Sequence, residues 1–169
     1  MASYEHAQPA EHRVIAASLQ AVRTDSRTDL AARALSVARS TALGVLGDHA
    51  AAEDVAQEVA IVAIQRARQL RDPAKLDAWL HKVAVRKAID EARKRKPTVQ
   101  LQSHHERAHH DTSDALDLLA PLPPRQRAAL TLRYVHDLPD AAIAKALGCR
   151  TGTVRSLLSR GRQALRSEL

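Results

Sequence analysis

Arg155, Ser156, Ser159, Arg160 and Arg162 share one face of a helix drawn through TGTVRSLLSRGRQALR, opposite Val154, Leu158 and Leu165. Guanidinium and hydroxyl groups at that spacing suit entry into the major groove and neutralisation of the phosphates beside it. Such a helix must be held by another. LPDAAIAKALG, at 138–148, does this: Ile143, Ala144 and Leu147 recur at helical spacing, and Gly148 lets the chain turn sharply. The two segments predict a helix-turn-helix, although an ordinary amphipathic hairpin with a solvated basic face has the same pattern.

Two further clusters carry chemistry. In the segment 51–68, Val55, Val59 and Val62 mark a core face, while Asp54, Gln57, Glu58 and Ile61 fall on another. Acids near a helix start favour its dipole, which accounts for Glu53 and Asp54 but not for an amide, a later acid and an exposed isoleucine. A partner-binding face is the expectation. In LDAWLHKVAVRKAIDEARKRK, at 76–96, Leu76, Trp79, Leu80 and Val83 point inward and Lys82, Arg86 and Arg93 lie near one face. That one-sided charge predicts nucleic-acid contact, and Arg133 is a further candidate phosphate contact.

Catalysis finds no support. No nucleophile stands among acids or bases, and Asp54 and Glu58, which could ligate a metal by spacing, have no matching carboxylate pair on another helix. Cys149 is the only cysteine, which excludes an intrachain disulfide and a cysteine-based zinc site. His104, His105, His109 and His110 lie in a polar stretch, and a tether is the expected reading there, not a metal site.

The elements that must position these clusters are helices. Apolar residues make up 45% of the 169, but Ala and Leu dominate, Phe is absent and aromatics are 2%, which disfavours a sheet. A net charge of +7 and a pI near 10.2 point to a polyanionic partner. No secretion signal, lipidation signal or apolar span occurs, so no membrane contact is expected, and a single cysteine suits a reducing cytoplasm. Residues 1–26 read as a loosely ordered extension with at most a short helix near 14–22. A helical pattern starts at Asp29 and ends at Gly47 and Asp48. Pro73 suits the start of the helix that continues through 76–96, and Pro123 and Pro124 suit the start of one over 125–134. The expectation is an all-α chain with helical domains at 27–96 and 115–169, both basic, joined by an acidic linker at 97–114.

AAEDVAQEV at 51–59, the segment 76–96 and LPPRQRAALTLRYVHDLPDAAIAKALGCRTGTVRSLLSRGRQAL at 122–165 occur in the order found in group 4, or extracytoplasmic-function, sigma factors of bacterial RNA polymerase, which this chain resembles. The resemblance implies a sigma-2 domain that recognises and opens the minus-ten element, and a sigma-4 domain that reads the minus-thirty-five element. It implies docking of Asp54, Gln57, Glu58 and Ile61 on the clamp helices of the beta-prime subunit. Sigma-4 would grip the flap of the beta subunit. A minus-ten pocket would fall at Gln69, Arg71, Lys82, Arg86 and Asp90, where an unstacked base is captured. Minus-thirty-five contacts would fall at Arg133, Arg155, Ser156, Ser159 and Arg160. Promoter DNA, core polymerase and an anti-sigma factor are the implied partners, with no cofactor.

Some positions depart from the family. Aliphatic residues stand at Ala60, Ile64 and Leu76, where aromatics are frequent. Arg86 replaces a frequent Asn and can only donate hydrogen bonds. Leu157 replaces a usual basic residue, and Arg150 a capping Ser, with Thr151 the expected substitute cap. Base preferences are therefore not carried over from relatives. The competing reading is a stand-alone helix-turn-helix regulator acting as a dimer, for which no long apolar dimerisation helix is present.

Overall fold

Glycine stops two of these helices, at Gly47 and Gly148, and proline opens two others, at Pro73 and Pro124. The computed structural model describes residues 10–66, 68–69, 72–95 and 118–167. Among the described residues are six helices and no strand: α1 Ala10–Leu46, α2 His49–Gln65, α3 Pro73–Lys94, α4 Pro124–Tyr134, α5 Asp140–Leu147 and α6 Thr151–Ser167. The linker histidines and Arg71 lie outside the described residues.

α1 starts at Ala10, well ahead of the expected Asp29, and runs unbroken through residue 26. Residues 10–29 contain neither Gly nor Pro and are rich in Ala and Arg, so nothing stops the helix from propagating backward from its packed half. It ends where Gly47 takes φ +66°. Asp48 then caps α2, its Oδ1 accepting the Ala51 N–H at 2.8 Å. That backbone bond, aided by Arg95 at 3.3 Å, holds the Asp48 carboxyl below its usual range despite partial burial. α2 stops at Gln65, short of the expected 68.

α1, α2 and α3 pack through small side chains. Ala34, Ala38, Ala42, Ala52, Ala56, Ala63, Ala84 and Ala88 are wholly buried, and Val45, Val59, Leu80 and Val85 fill the space between them. Alanine seams bring helix axes close, which is how a core forms without phenylalanine. Ala60 and Leu76 are buried in this aliphatic packing. Arg33 grips Asp77 at 2.6 Å and Arg39 grips Glu53 at 2.7 Å, clipping α1 to α3 and α2. Both pairs are exposed and screened by solvent, so apolar packing dominates.

α4, α5 and α6 form the second unit around Leu130, Leu132, Ile143, Leu147, Val154 and Leu158. α6 crosses α4 closely at Gly161, where a Cβ would stand 2.9 Å from Leu130 Cδ1. The turn after α5 is made by Gly148 in the left-handed region, φ 62° and ψ 45°, and Arg125 Nη2 donates to the Leu147 carbonyl at 3.3 Å. α6 starts at Thr151, so the cap position belongs to Arg150, whose carbonyl accepts from Thr153 and Val154. Thr151 is the first helical residue and not the cap expected of it.

The two units touch. α1 and α3 pack against α4, and α3 also meets α5. At Gly44 a Cβ would lie 2.2 Å from Thr131 Oγ1, so glycine is what allows α1 and α4 to approach. Thr41 and Thr131 are buried at this seam, each donating its hydroxyl to a carbonyl of its own helix, Val37 and Arg127 respectively.

Candidate nucleic-acid and partner interfaces

α2 presents the acidic stripe as a solvent face. Asp54, Gln57, Glu58 and Ile61 are all exposed, and Ile61 shows 54% of its surface although it is aliphatic. The core face of the same helix, Val55, Ala56, Val59 and Ala63, fixes this orientation, since burial of one side leaves the other outward. Glu58 accepts from Lys87 Nζ at 2.5 Å, which joins the stripe to the flank of α3.

α3 carries a second stripe. Lys82, Arg86, Asp90 and Arg93 are exposed along one side, opposite Leu80, Ala84, Val85, Ala88 and Ile89. Asp90 and Arg93 are 3.9 Å apart, while no ion pair engages Lys82 or Arg86 among the described residues. Their cationic ends are available to an anion. Gln69 is exposed in the turn after α2, its N–H donating to the Arg66 carbonyl at 2.8 Å. Arg86 reaches the turn of the second unit, where a Cβ on Gly148 would meet its Nη2 at 3.5 Å.

α6 carries the third face. Arg155, Ser156, Ser159 and Arg160 are exposed while Val154, Leu158 and Gly161 are buried, so packing against α4 and α5 turns the basic side outward. Ser156 Oγ donates to the Gly152 carbonyl at 3.1 Å. Leu157, half-buried, packs against the core of the unit, which accounts for an apolar residue on this helix.

Arg133 is placed differently from its fellows. It is largely buried, its Nη2 engaged by Asp140 Oδ1, and the other oxygen of Asp140 accepts from Arg155 Nε at 3.2 Å. The sequence reading missed Asp140, which as an acid opening a helix passes for a dipole partner. It also missed His81 and His136, from α3 and the turn after α4, whose rings meet edge to face at 4.6 Å. Burial, with His81 adding to it, pushes the His136 imidazole down to about 4, and burial lowers His81 despite the nearby Asp77 carboxylate. Both are neutral near pH 7.

Among the described residues no group of three or more His, Cys, Asp or Glu could hold a metal ion, and no helix is long and apolar enough to cross a membrane. The arrangement is one of binding surfaces: an acidic face that ends in an exposed isoleucine, and two basic faces on different helices.

Comparison with known proteins gives these surfaces a context. A family model described as Sigma-70 region 2 matches residues 30–98, and one described as Sigma-70, region 4 matches residues 113–165. The RNA polymerase sigma factor SigV of Bacillus subtilis is 31% identical over 69% of this chain and 74% of its own length. The ECF RNA polymerase sigma factor SigL of Mycobacterium tuberculosis is 35% identical over 76% of this chain and 80% of its own. SigE of Mycolicibacterium smegmatis is 32% identical, and the match spans 53% of that longer protein. Among solved structures, the sigma factor RpoE of Bartonella quintana, in complex with the anti-sigma factor NepR, superposes with a TM-score of 0.67 at 26% identity, over 85% of this chain and 95% of that one.

Proposed function

From the premise that this chain belongs to the extracytoplasmic-function (group 4) family of sigma-70 factors, we propose how its three surfaces divide the work of initiation. As a sigma factor the protein binds bacterial core RNA polymerase and directs promoter recognition and DNA opening; it is neither a stand-alone regulator nor an enzyme. The α2 face formed by Asp54, Gln57, Glu58 and Ile61 docks on the beta-prime subunit. The observation that carries this is Ile61, an aliphatic side chain left 54% exposed on the same face of α2 as Asp54, Gln57 and Glu58, the mixed apolar and polar composition of a protein contact. Tyr134 and Val135, exposed at the end of α4, supply apolar surface for a second contact, to the beta subunit.

Lys82 and Arg86 on α3, with Gln69 and Asp90, hold the opened minus-ten strand, where stacking is lost and phosphate contact compensates. Arg155, Ser156, Ser159 and Arg160 on α6 read the minus-thirty-five duplex in the major groove, with Arg133 supporting them. The elements lie about 25 base pairs apart by their names, on the order of 80 Å at ~3.4 Å per pair. α3 and α5 are in contact, so engaging both elements requires the two units to part. The RpoE neighbour is held by an anti-sigma factor, which supports an anti-sigma protein as a regulator of this chain too. Its place of work is the cytoplasm, with the polymerase.

The docking role is tested by pull-down of core polymerase with the double variant Asp54→Lys and Glu58→Lys. Loss of co-purification with an unchanged circular-dichroism melt is expected; retention of core at wild-type levels contradicts the assignment.

A further inference from the structure

We infer that Asp140 is a positioning residue for promoter reading, aiming Arg155 at a guanine of the minus-thirty-five element; this rests on α6 being the helix that reads that element. Asp140 opens α5, the first helix of the helix-turn-helix, and its two oxygens are divided between two arginines of different helices. Oδ1 takes Nη2 of Arg133 on α4, a side chain mostly buried and therefore a rigid support. Oδ2 takes Nε of Arg155 on α6 at 3.2 Å, while 75% of the Arg155 side chain remains exposed.

The choice of nitrogen matters. A guanidinium has five donors in one plane, and a carboxylate on Nε fixes that plane while leaving the terminal Nη1 and Nη2 pair free. No other ion pair or hydrogen bond engages that end of Arg155 among the described residues. The free pair is the fork that meets O6 and N7 of guanine in the major groove. Arg155 lies in the first turns of α6, the part of a recognition helix that contacts base edges. An arginine loose on that surface would settle on whichever phosphate came near. Held by Asp140 it presents its fork to a base, and the carboxylate repels the backbone at the same spot.

This role has a signature that a structural ion pair lacks. Removing Asp140 raises the charge of the reading face by one, so binding to arbitrary duplex strengthens and its salt dependence steepens by about 0.9 in log–log slope. Preference for guanine at one minus-thirty-five position falls about tenfold at the same time. Loss of a merely structural contact would weaken all duplexes alike and leave the base preference unchanged, so the preference is what separates the two roles.

The experiment uses holoenzyme assembled from core polymerase with the full chain, as wild type, Asp140→Ala, Asp140→Asn and Arg155→Ala. Bound duplexes are sequenced from a promoter pool randomised across the minus-thirty-five element, and salt titrations are run on a non-promoter duplex. The expected result is a guanine preference lost in Arg155→Ala and reduced in both Asp140 variants, which also show the steeper slope. Asp140→Asn keeps the shape and decides the matter if Asp140→Ala melts at the assay temperature. If Arg155→Ala erases the preference while the Asp140 variants keep it, the positioning role is overturned and the assignment of α6 stands. If Arg155→Ala keeps the preference, the assignment of Arg155 has failed and the inference falls with it.

Discussion

His136 Nε2 lies 2.8 Å from Thr41 Oγ1, joining the turn after α4 to α1 across 95 residues of sequence. Thr41 gives its one hydroxyl proton to the Val37 carbonyl at 2.7 Å, so its oxygen accepts and the imidazole donates through Nε2. Ser40 Oγ stands 3.4 Å from the same nitrogen, and the His81 ring closes the other side. A neutral histidine is thus built into the seam between the two units.

That placement makes the folded protein sensitive to acid. The imidazole of His136 is held at about 4 by burial and by His81, against an ordinary 6.5, so the unfolded chain takes up a proton first as pH falls. Its stabilising contribution is fully present above about pH 6.5 and is lost progressively toward pH 4. Asp77, the carboxylate that faces His81, opposes the effect only in part. Thermal unfolding should therefore show a Tm that drops between pH 7 and pH 5, and a shallower drop in His136→Gln. Equal slopes for the two proteins would remove His136 as the cause.

Gly44 gives a steric test of the same seam. A methyl group there would meet Thr131 Oγ1 at 2.2 Å and Thr131 Cγ2 at 2.7 Å, and both atoms belong to a short, buried side chain that cannot swing away. Gly44→Ala should cost about 1–3 kcal/mol in urea unfolding. Adding Thr131→Ala removes both atoms and should recover part of the loss, so a cycle in which the two costs simply add contradicts the packing described.

If the units must part to reach both promoter elements, locking them should stop initiation. The pair Gly44→Cys and Thr131→Cys, with Cys149→Ser to remove the native thiol, puts two thiols on facing Cβ positions of α1 and α4, 3.0 Å apart as the helices stand, so a small give between the helices brings them to disulfide geometry. Oxidised protein should give no run-off transcript and reduced protein should give it again. Full activity in the oxidised, crosslinked form would show that opening is not needed.

The helices, their order and the faces they turn outward were legible in the sequence, because apolar periodicity fixes which side of α2, α3 and α6 is buried. Leu157 could not be read that way: it falls outside the periodic set of Val154, Leu158 and Leu165, and only the packing of α6 on its unit shows why an aliphatic side chain stands there. Arg133 was legible as a cation but not as one held by Asp140, since that pairing depends on how α4 and α5 meet. The His136 to Thr41 contact and the Gly44 to Thr131 approach join residues far apart in the chain, with no periodic signal. Where α1 begins was misjudged for the opposite reason, because high propensity carries the helix past the packed residues that make the pattern visible.

If α3 opens the minus-ten element as proposed, that role is separable from core binding. Lys82→Ala with Arg86→Ala should leave core pull-down intact and cut permanganate reactivity of minus-ten thymines by roughly tenfold, as expected for losing two phosphate or base contacts from an opened strand. Unchanged reactivity would move the minus-ten site off this stripe.

Run-off transcription measures the sigma activity of this protein most directly. Core polymerase, the purified chain and genomic fragments from the same bacterium are combined, and the start sites are mapped. Discrete transcripts that appear only when core and this protein are both present, with shared sequence near minus ten and minus thirty-five, are the predicted result. No protein-dependent transcript, or repression of transcripts that core makes with another sigma factor, would contradict it.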